Sequence, residues 1–221
     1  MSSGYFITGT DTECGKTEIT LGLMQLLQNR GKAVLGMKPV ASGAELTMDG
    51  LRNEDALRIQ RHCSAPVPYE LVNPYAFEPP VAPHLAAEMA EQEINFKLIQ
   101  ECYERLTTMT DKVLVEGVGG WRVPLGVDGD VSDLARALNL PIILVVGMKL
   151  GCINHALLSV EAIQSDGLTI AGWVANIMDH KMLELEANLE TLRSAIAAPC
   201  LGVVPNMHPV DTSVVADCLN L

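Results

Sequence analysis

Basic residues are scarce in this chain. Lys and Arg number 15 against 27 Asp and Glu in 221 residues, a formal charge of −12. A surface of that sign repels phosphate backbones and anionic lipid, so neither nucleic acid nor membrane is an expected partner. Paired cysteines are missing too: the six, at 14, 63, 102, 152, 200 and 218, include no C-x-x-C. That argues against a zinc frame or disulfide scaffold and for reduced thiols. Long apolar runs are absent, the longest, 140–146, being interrupted by Pro141 and far too short for a bilayer. No charged, apolar and cleavable leader pattern precedes the first strand pattern, and no internal repeat is visible. The five histidines show no ligand spacing, and none is assigned a metal. A cytoplasmic location is the expectation.

What the chain does have is apolar content, 48 %, enough for one sizeable core, and a single domain over 1–221 is expected. Apolar runs predict strands at about 4–8, 33–37, 112–116, 141–147, 170–175 and 200–204. Runs such as Ile142–Val146 carry no polar alternation, so both of their faces must be covered. Helical patterns lie between them. One follows residue 15, with Ile19, Leu23, Leu26 and Leu27 on one stripe, and stops at Asn29-Arg30-Gly31. Another covers 152–165. Buried strands alternating with helices predict an α/β fold: a parallel sheet of about six or seven strands with helices on both faces. In such sheets ligands sit beyond the carboxyl ends of the strands. Half of the 12 prolines fall between Pro66 and Pro83, interleaved with Val67, Tyr69, Leu71, Val72, Tyr75 and Phe77. So apolar a segment is read as an ordered covering loop rather than a linker.

The most informative stretch is Thr8-Gly-Thr-Asp-Thr-Glu-Cys-Gly-Lys-Thr17, between an apolar strand and a helix. This is the setting of a phosphate-binding P-loop. Main-chain amides and the positive end of a helix dipole converge on a phosphate, Lys16 adds a cation, and the Thr17 hydroxyl can ligate magnesium. Where the usual pattern has its first glycine stands Thr10, with Gly9 one step earlier. The bland alternative, a glycine turn with a surface lysine, leaves Thr12 and Thr17 around that lysine unexplained.

Other strand ends add candidates. Glu116 follows Val113-Leu114-Val115, where an acid can close a nucleotide–magnesium site, and Gly117, Gly119 and Gly120 behind it permit close backbone approach. An ordinary strand-end carboxylate is the alternative. Lys38, held extended by Pro39, faces the ligand edge, where it can balance a carbamate or a transferring phosphoryl group. Ser42 lies four residues on. Asp55, in a first helical turn after the N-cap candidate Asn53, is by pattern alone a weak metal ligand. Gly151-Cys-Ile-Asn154 opens a helix whose free amides form a second potential anion site. Cys152 has no partner suited to nucleophilic work, and Trp173 reads as core.

Taken together, Gly9–Thr17, Lys38-Pro-Val-Ala-Ser-Gly43, Arg52-Asn-Glu-Asp-Ala56, Val72-Asn-Pro-Tyr75, Glu116-Gly-Val-Gly-Gly-Trp121, Lys149-Leu-Gly-Cys-Ile-Asn-His155 and Gly172-Trp-Val-Ala-Asn176 resemble dethiobiotin synthetase, most of all its enterobacterial form, over about residues 4–205. The resemblance implies a P-loop NTPase-like enzyme requiring ATP and magnesium. Such an enzyme closes the ureido ring of dethiobiotin from 7,8-diaminopelargonic acid and CO2, through a carbamate and a mixed carbamic–phosphoric anhydride. It implies catalytic roles for Lys38, Lys16 and Thr12, and magnesium ligation by Thr17, Asp55 and Glu116. Nucleotide contacts are implied for Glu13, Cys14, Gly15, Lys16, Thr17, Glu18, Asp55, Glu116, Gly117, Val118 and Gly119, with Asn176, Pro205 and Asn206 about the adenine. Ser42 is placed at the substrate, and so are Gly151, Cys152, Ile153 and Asn154, supplied by the neighbouring subunit of a homodimer. Cys14 stands for a usual Val and Val118 for a usual Ala, and the chain after Asn206 is less typical. The alternatives are another cofactor-synthesis ATPase of the same branch, or a nucleotide-driven switch of the septum-positioning type. The former normally appends a glutaminase domain, for which there is no room, and the latter carries a signature lysine where Asp11 stands.

Overall fold

The computed structural model describes residues 4–221. Six strands form one parallel sheet: β1 (Gly4–Gly9), β2 (Val34–Met37), β3 (Lys112–Glu116), β4 (Ile142–Met148), β5 (Ile170–Ile177) and β6 (Cys200–Val204). Their order is β6-β5-β4-β1-β3-β2. Each predicted strand is present within one or two residues. Seven consecutive residues of β4 are buried, as its unbroken apolar sequence demands, because a parallel strand inside such a sheet has no solvent face.

The helices of eight or more residues are α1 (Lys16–Asn29), α2 (Glu54–Arg61), α3 (Phe96–Thr107), α4 (Val131–Leu138), α5 (Cys152–Ser165) and α6 (Leu185–Ala195). The crossover β1→β2 runs across the sheet in one direction and β4→β5→β6 in the other. Right-handed connections therefore put α1 on one face and α5 and α6 on the opposite face. The short helix Thr212–Asp217 packs along α1, and α5 packs against α6. α1 ends at Asn29 with Arg30 as its C-cap, and Gly31 follows at φ 77°, a left-handed stop open to glycine without strain.

β1 pairs with β4 on one side and β3 on the other, Phe6 lying opposite Ile142 and Val115. The chain leaves β1 toward one edge and returns past it toward the other, so β1 marks the point where strand order reverses. A crevice opens there beyond the carboxyl ends. Residues 66–83 are ordered and lie on the domain, as expected of a covering segment. Val67, Tyr69, Leu71, Val72, Tyr75 and Phe77 are all buried, and Tyr75–Phe77 pairs in parallel with Val40–Ser42. Trp173 is fully buried in the core.

Candidate active site

The loop leaving β1 is anchored before it turns: Thr10 donates its N–H to the Val145 carbonyl at 3.0 Å. Two residues then take left-handed backbone conformations, Glu13 at φ 58° and Gly15 at φ 88°. Gly15 precedes α1, and no side chain caps that helix. The amides of its first turn are therefore available to an anion, with the dipole behind them. The positive φ favours glycine there, and a Cβ at Gly15 would come within 2.0 Å of Asn176 Nδ2, so the Asn176 amide would have to shift. Lys16 lies along the loop, its Nζ donating to the Asp11 carbonyl at 2.9 Å.

The carboxyl ends of β2 and β3 supply the opposite side. Glu116 is fully buried. Its Oε1 accepts from the Thr17 hydroxyl at 2.8 Å and from Lys38 Nζ at 2.5 Å. Lys38 Nζ also lies 3.2 Å from Asp55 Oδ2, so three segments far apart in sequence meet at one ammonium. Burial alone would lower the pKa of Lys38, but the charges of Glu116 and Asp55 outweigh it and hold the pKa above the ordinary lysine value. At neutral pH Lys38 is a fixed cation. Glu116 Oε2 is buried and has no hydrogen-bond partner, and the Ser42 hydroxyl is likewise buried and unpartnered. Buried polar atoms without partners are costly and point to a ligand group.

A cavity of about 820 Å³ joins these groups. Thr12, Glu13, Gly15, Lys16, Thr17, Glu18, Lys38, Ser42, Asp55, Glu116, Val118 and Gly119 all line it. Glu18 is held by a two-pronged pair with Arg58, both contacts 2.7 Å, which ties the first turn of α1 to α2. The remaining predicted residues lie elsewhere. Cys14 and Gly117 are buried, and neither lines the cavity. Asn176 donates to the Cys14 carbonyl at 3.0 Å and Asn206 to the Met178 carbonyl at 2.9 Å. With exposed Pro205 they form a separate cluster at the ends of β5 and β6, outside the cavity. Gly151–Asn154 open α5, again with no capping side chain. Cys152 is buried, Asn154 exposed, and none of the four reaches this chain's own cavity.

Two features escaped the sequence reading. Pro80, Val81, Ala82 and Pro83 form an apolar wall with Val123 across from the phosphate loop; the density of prolines was the available signal. Lys149 pairs with Asp11 at 2.8 Å, and that contact is the main cause holding the Asp11 pKa below the usual carboxylate range. No short-range pattern links those two positions.

Among the described residues no three His, Cys, Asp or Glu side chains cluster as a metal site. The oxygen set at hand is two carboxylates and the Thr17 hydroxyl. Such a sparse, hard-oxygen set suits magnesium, which keeps waters and shares substrate phosphates, better than a metal needing a full protein cage. No helix among the described residues is long and apolar enough to cross a membrane.

Comparison with known proteins shows the family and the fold. Residues 3–213 match a family described as an AAA domain. The ATP-dependent dethiobiotin synthetase BioD of Pseudomonas paraeruginosa is 53 % identical over 218 residues, covering 98 % of this chain and 96 % of that protein. The ATP-dependent dethiobiotin synthetase BioD of Cellvibrio japonicus is 48 % identical over 217 residues, covering 98 % and 95 %. Among solved structures, the MinC:MinD cell division complex of Aquifex aeolicus is similar with a TM-score of 0.58 and 17 % identity, covering 99 % of this chain and 87 % of that one. The signal recognition particle receptor FtsY of Elizabethkingia anophelis follows with a TM-score of 0.51 and 11 % identity, over 99 % and 66 %. At those identities the structural likeness concerns the fold alone.

Proposed function

The chain belongs to the ATP-dependent dethiobiotin synthetases, and from that premise we propose how its own residues carry the ring closure. The observation that carries the reading is the meeting of Lys16, Thr17, Lys38, Asp55 and Glu116 on one cavity. The triphosphate of ATP lies along the loop amides and the amino end of α1, with Lys16 drawn from the Asp11 carbonyl to the β- and γ-phosphates. Thr17, Asp55 and Glu116, including the partnerless Glu116 Oε2, would hold magnesium. When bound, the metal neutralises charge on the phosphate oxygens.

One amine of 7,8-diaminopelargonic acid adds to CO2 and loses a proton, giving a carbamate. Lys38, an ammonium throughout, balances that carboxylate, and Ser42 and Thr12 orient it. A carbamate oxygen attacks the γ-phosphorus, the bond to the β-γ bridging oxygen breaks, and ADP leaves. The second amine then attacks the carbamoyl carbon. Phosphate departs with its oxygen, a proton is lost, and the ureido ring is closed. Lys38 and Lys16 meet the negative charge that builds on the transferring group, a form of stabilisation prepared before substrate arrives. The wall Pro80–Pro83 excludes water beside it and suits the aliphatic chain of the diamino acid.

Asn176, Pro205 and Asn206 are assigned to the adenine, a reading supported by the hydrogen bond from Asn176 to the Cys14 carbonyl in the phosphate loop. Gly151–Asn154 are assigned to the carboxylate of a substrate bound by a second copy of the chain, in a homodimer. Two observations favour this: these residues do not reach their own cavity, and Leu150 and Leu158 beside them are 96 % and 56 % exposed. The test of the whole reading is phosphate release by purified protein with ATP, magnesium, bicarbonate and 7,8-diaminopelargonate. Release is expected only when the diamino acid is present, and release independent of it rejects the mechanism.

A further inference from the structure

Three polar side chains beside and behind the cavity have no part in the chemistry above. Asn53 is 8 %, Tyr69 6 % and Asn73 3 % exposed, and hydrogen bonds join them in one chain. The Tyr69 hydroxyl accepts from the Asn53 main-chain N–H and donates to Asn73 Oδ1, both at 2.8 Å. Asn73 Nδ2 donates to the Lys38 carbonyl at 2.6 Å and to the Tyr75 carbonyl at 3.1 Å. At the other end Asn53 Nδ2 donates to the Ser42 carbonyl at 3.3 Å. Asn53 Oδ1 accepts from the Ala56 N–H at 3.2 Å, capping α2, the helix that bears Asp55.

The chain thus ends on the three segments that present Lys38, Ser42 and Asp55. The backbone at Lys38 is clamped further, its N–H donating to the Val72 carbonyl at 2.8 Å. Packing alone does not require such an arrangement, since apolar side chains fill buried space without needing partners. A fully satisfied buried polar network rigidifies its surroundings and fixes one geometry. Here that geometry is the approach of the Lys38 ammonium to the Asp55 carboxylate, 3.2 Å.

We propose that Tyr69 and Asn73 are positioning residues for ring closure: through Asn53 and the Lys38 carbonyl they set the spacing of Lys38 and Asp55 within the cavity. This rests on the roles assigned to Lys38 and Asp55 above. The Tyr69 ring lies under the Arg52 guanidinium, 4.2 Å from its centroid, so it keeps its place when only the hydroxyl is removed.

Tyr69→Phe is therefore the mild probe. Its kcat is expected to fall about tenfold, the scale on which small misplacements of reacting groups are felt, with KM for ATP changed by less than about twofold. Mn2+ binding in the presence of a non-hydrolysable ATP analogue, followed by EPR, should weaken several-fold. In a double-mutant cycle the kcat loss should shrink below about twofold when Asp55→Asn is already present. Asn73→Ala, if it folds, should repeat the pattern. Equal kcat losses in both backgrounds overturn the relay, as does a lowered melting temperature with kcat and Mn2+ binding intact. If Asp55→Asn alone leaves turnover and Mn2+ binding unchanged, the reading of the site falls and the relay with it. If Asp55→Asn impairs both while Tyr69→Phe impairs neither, only the relay falls.

Discussion

Lys38 sits 2.5 Å from one carboxylate and 3.2 Å from another, while only 5 % exposed. A lysine so placed cannot serve as a base near neutrality; its contribution is charge. The sign of its linkage follows. A lysine whose folded pKa exceeds the unfolded value, about 10.4, stabilises the fold fully below that value and loses the contribution as pH rises through the folded pKa. Lys38 lies on that side. Lysine-selective 15N NMR of the metal-free protein should therefore find the Lys38 side chain still protonated at about pH 10. A Lys38 resonance that titrates between pH 7 and 9, identified by its loss in Lys38→Met, would refute the ion-pair geometry. At this scale the sequence was uneven. Lys38 and Glu116 were legible because each stands at the end of an apolar run that had to be a strand, Lys16 and Thr17 because a glycine-bearing turn leads from such a run into a helix, and Ser42 because it lies four residues past Lys38. Asp55 was not legible from its pattern, since first-turn acids abound for dipole reasons; only the family resemblance lifted it. Tyr69 and Asn73 read as covering-loop residues, because a hydrogen-bond relay has no period.

The element that decides nucleotide grip is the turn into α1. Gly15→Ala places a side chain in the left-handed region, at a cost of roughly 1–2 kcal/mol, and drives its Cβ into Asn176. Calorimetry should find ATP affinity reduced by about 5- to 30-fold if the torsional cost falls on the bound loop, and unchanged affinity would remove the turn from the binding account. The sheet was read to within a residue or two because parallel strands buried on both faces are uninterrupted apolar runs bounded by turns. The three two-stranded ribbons among the described residues were not read. Their strands, such as Glu45–Thr47 with Gly50–Arg52 and Pro124–Gly126 with Gly129–Asp130, are too short to show alternation.

At the scale of the molecule, the fold is shared more widely than the chemistry. The MinC:MinD cell division complex, at 17 % identity, shares the fold alone, while relatives near half identity are ATP-dependent dethiobiotin synthetases. Assembly is tested by Asn154→Ala. If a second copy supplies this side chain to the substrate carboxylate, KM for the diamino acid rises about tenfold, the worth of a hydrogen bond to a charged group, with KM for ATP held within about twofold. Equal rises in both would place Asn154 elsewhere.

The seat of the phosphate loop has one more consequence. β1 is sandwiched edge to edge between β4 and β3, so its amides belong to the last part of the protein to open, while β2 and β6 at the margins exchange sooner. Incoming nucleotide meets a loop whose root is set at folding, while Lys16, held on the Asp11 carbonyl, is the group that has to move.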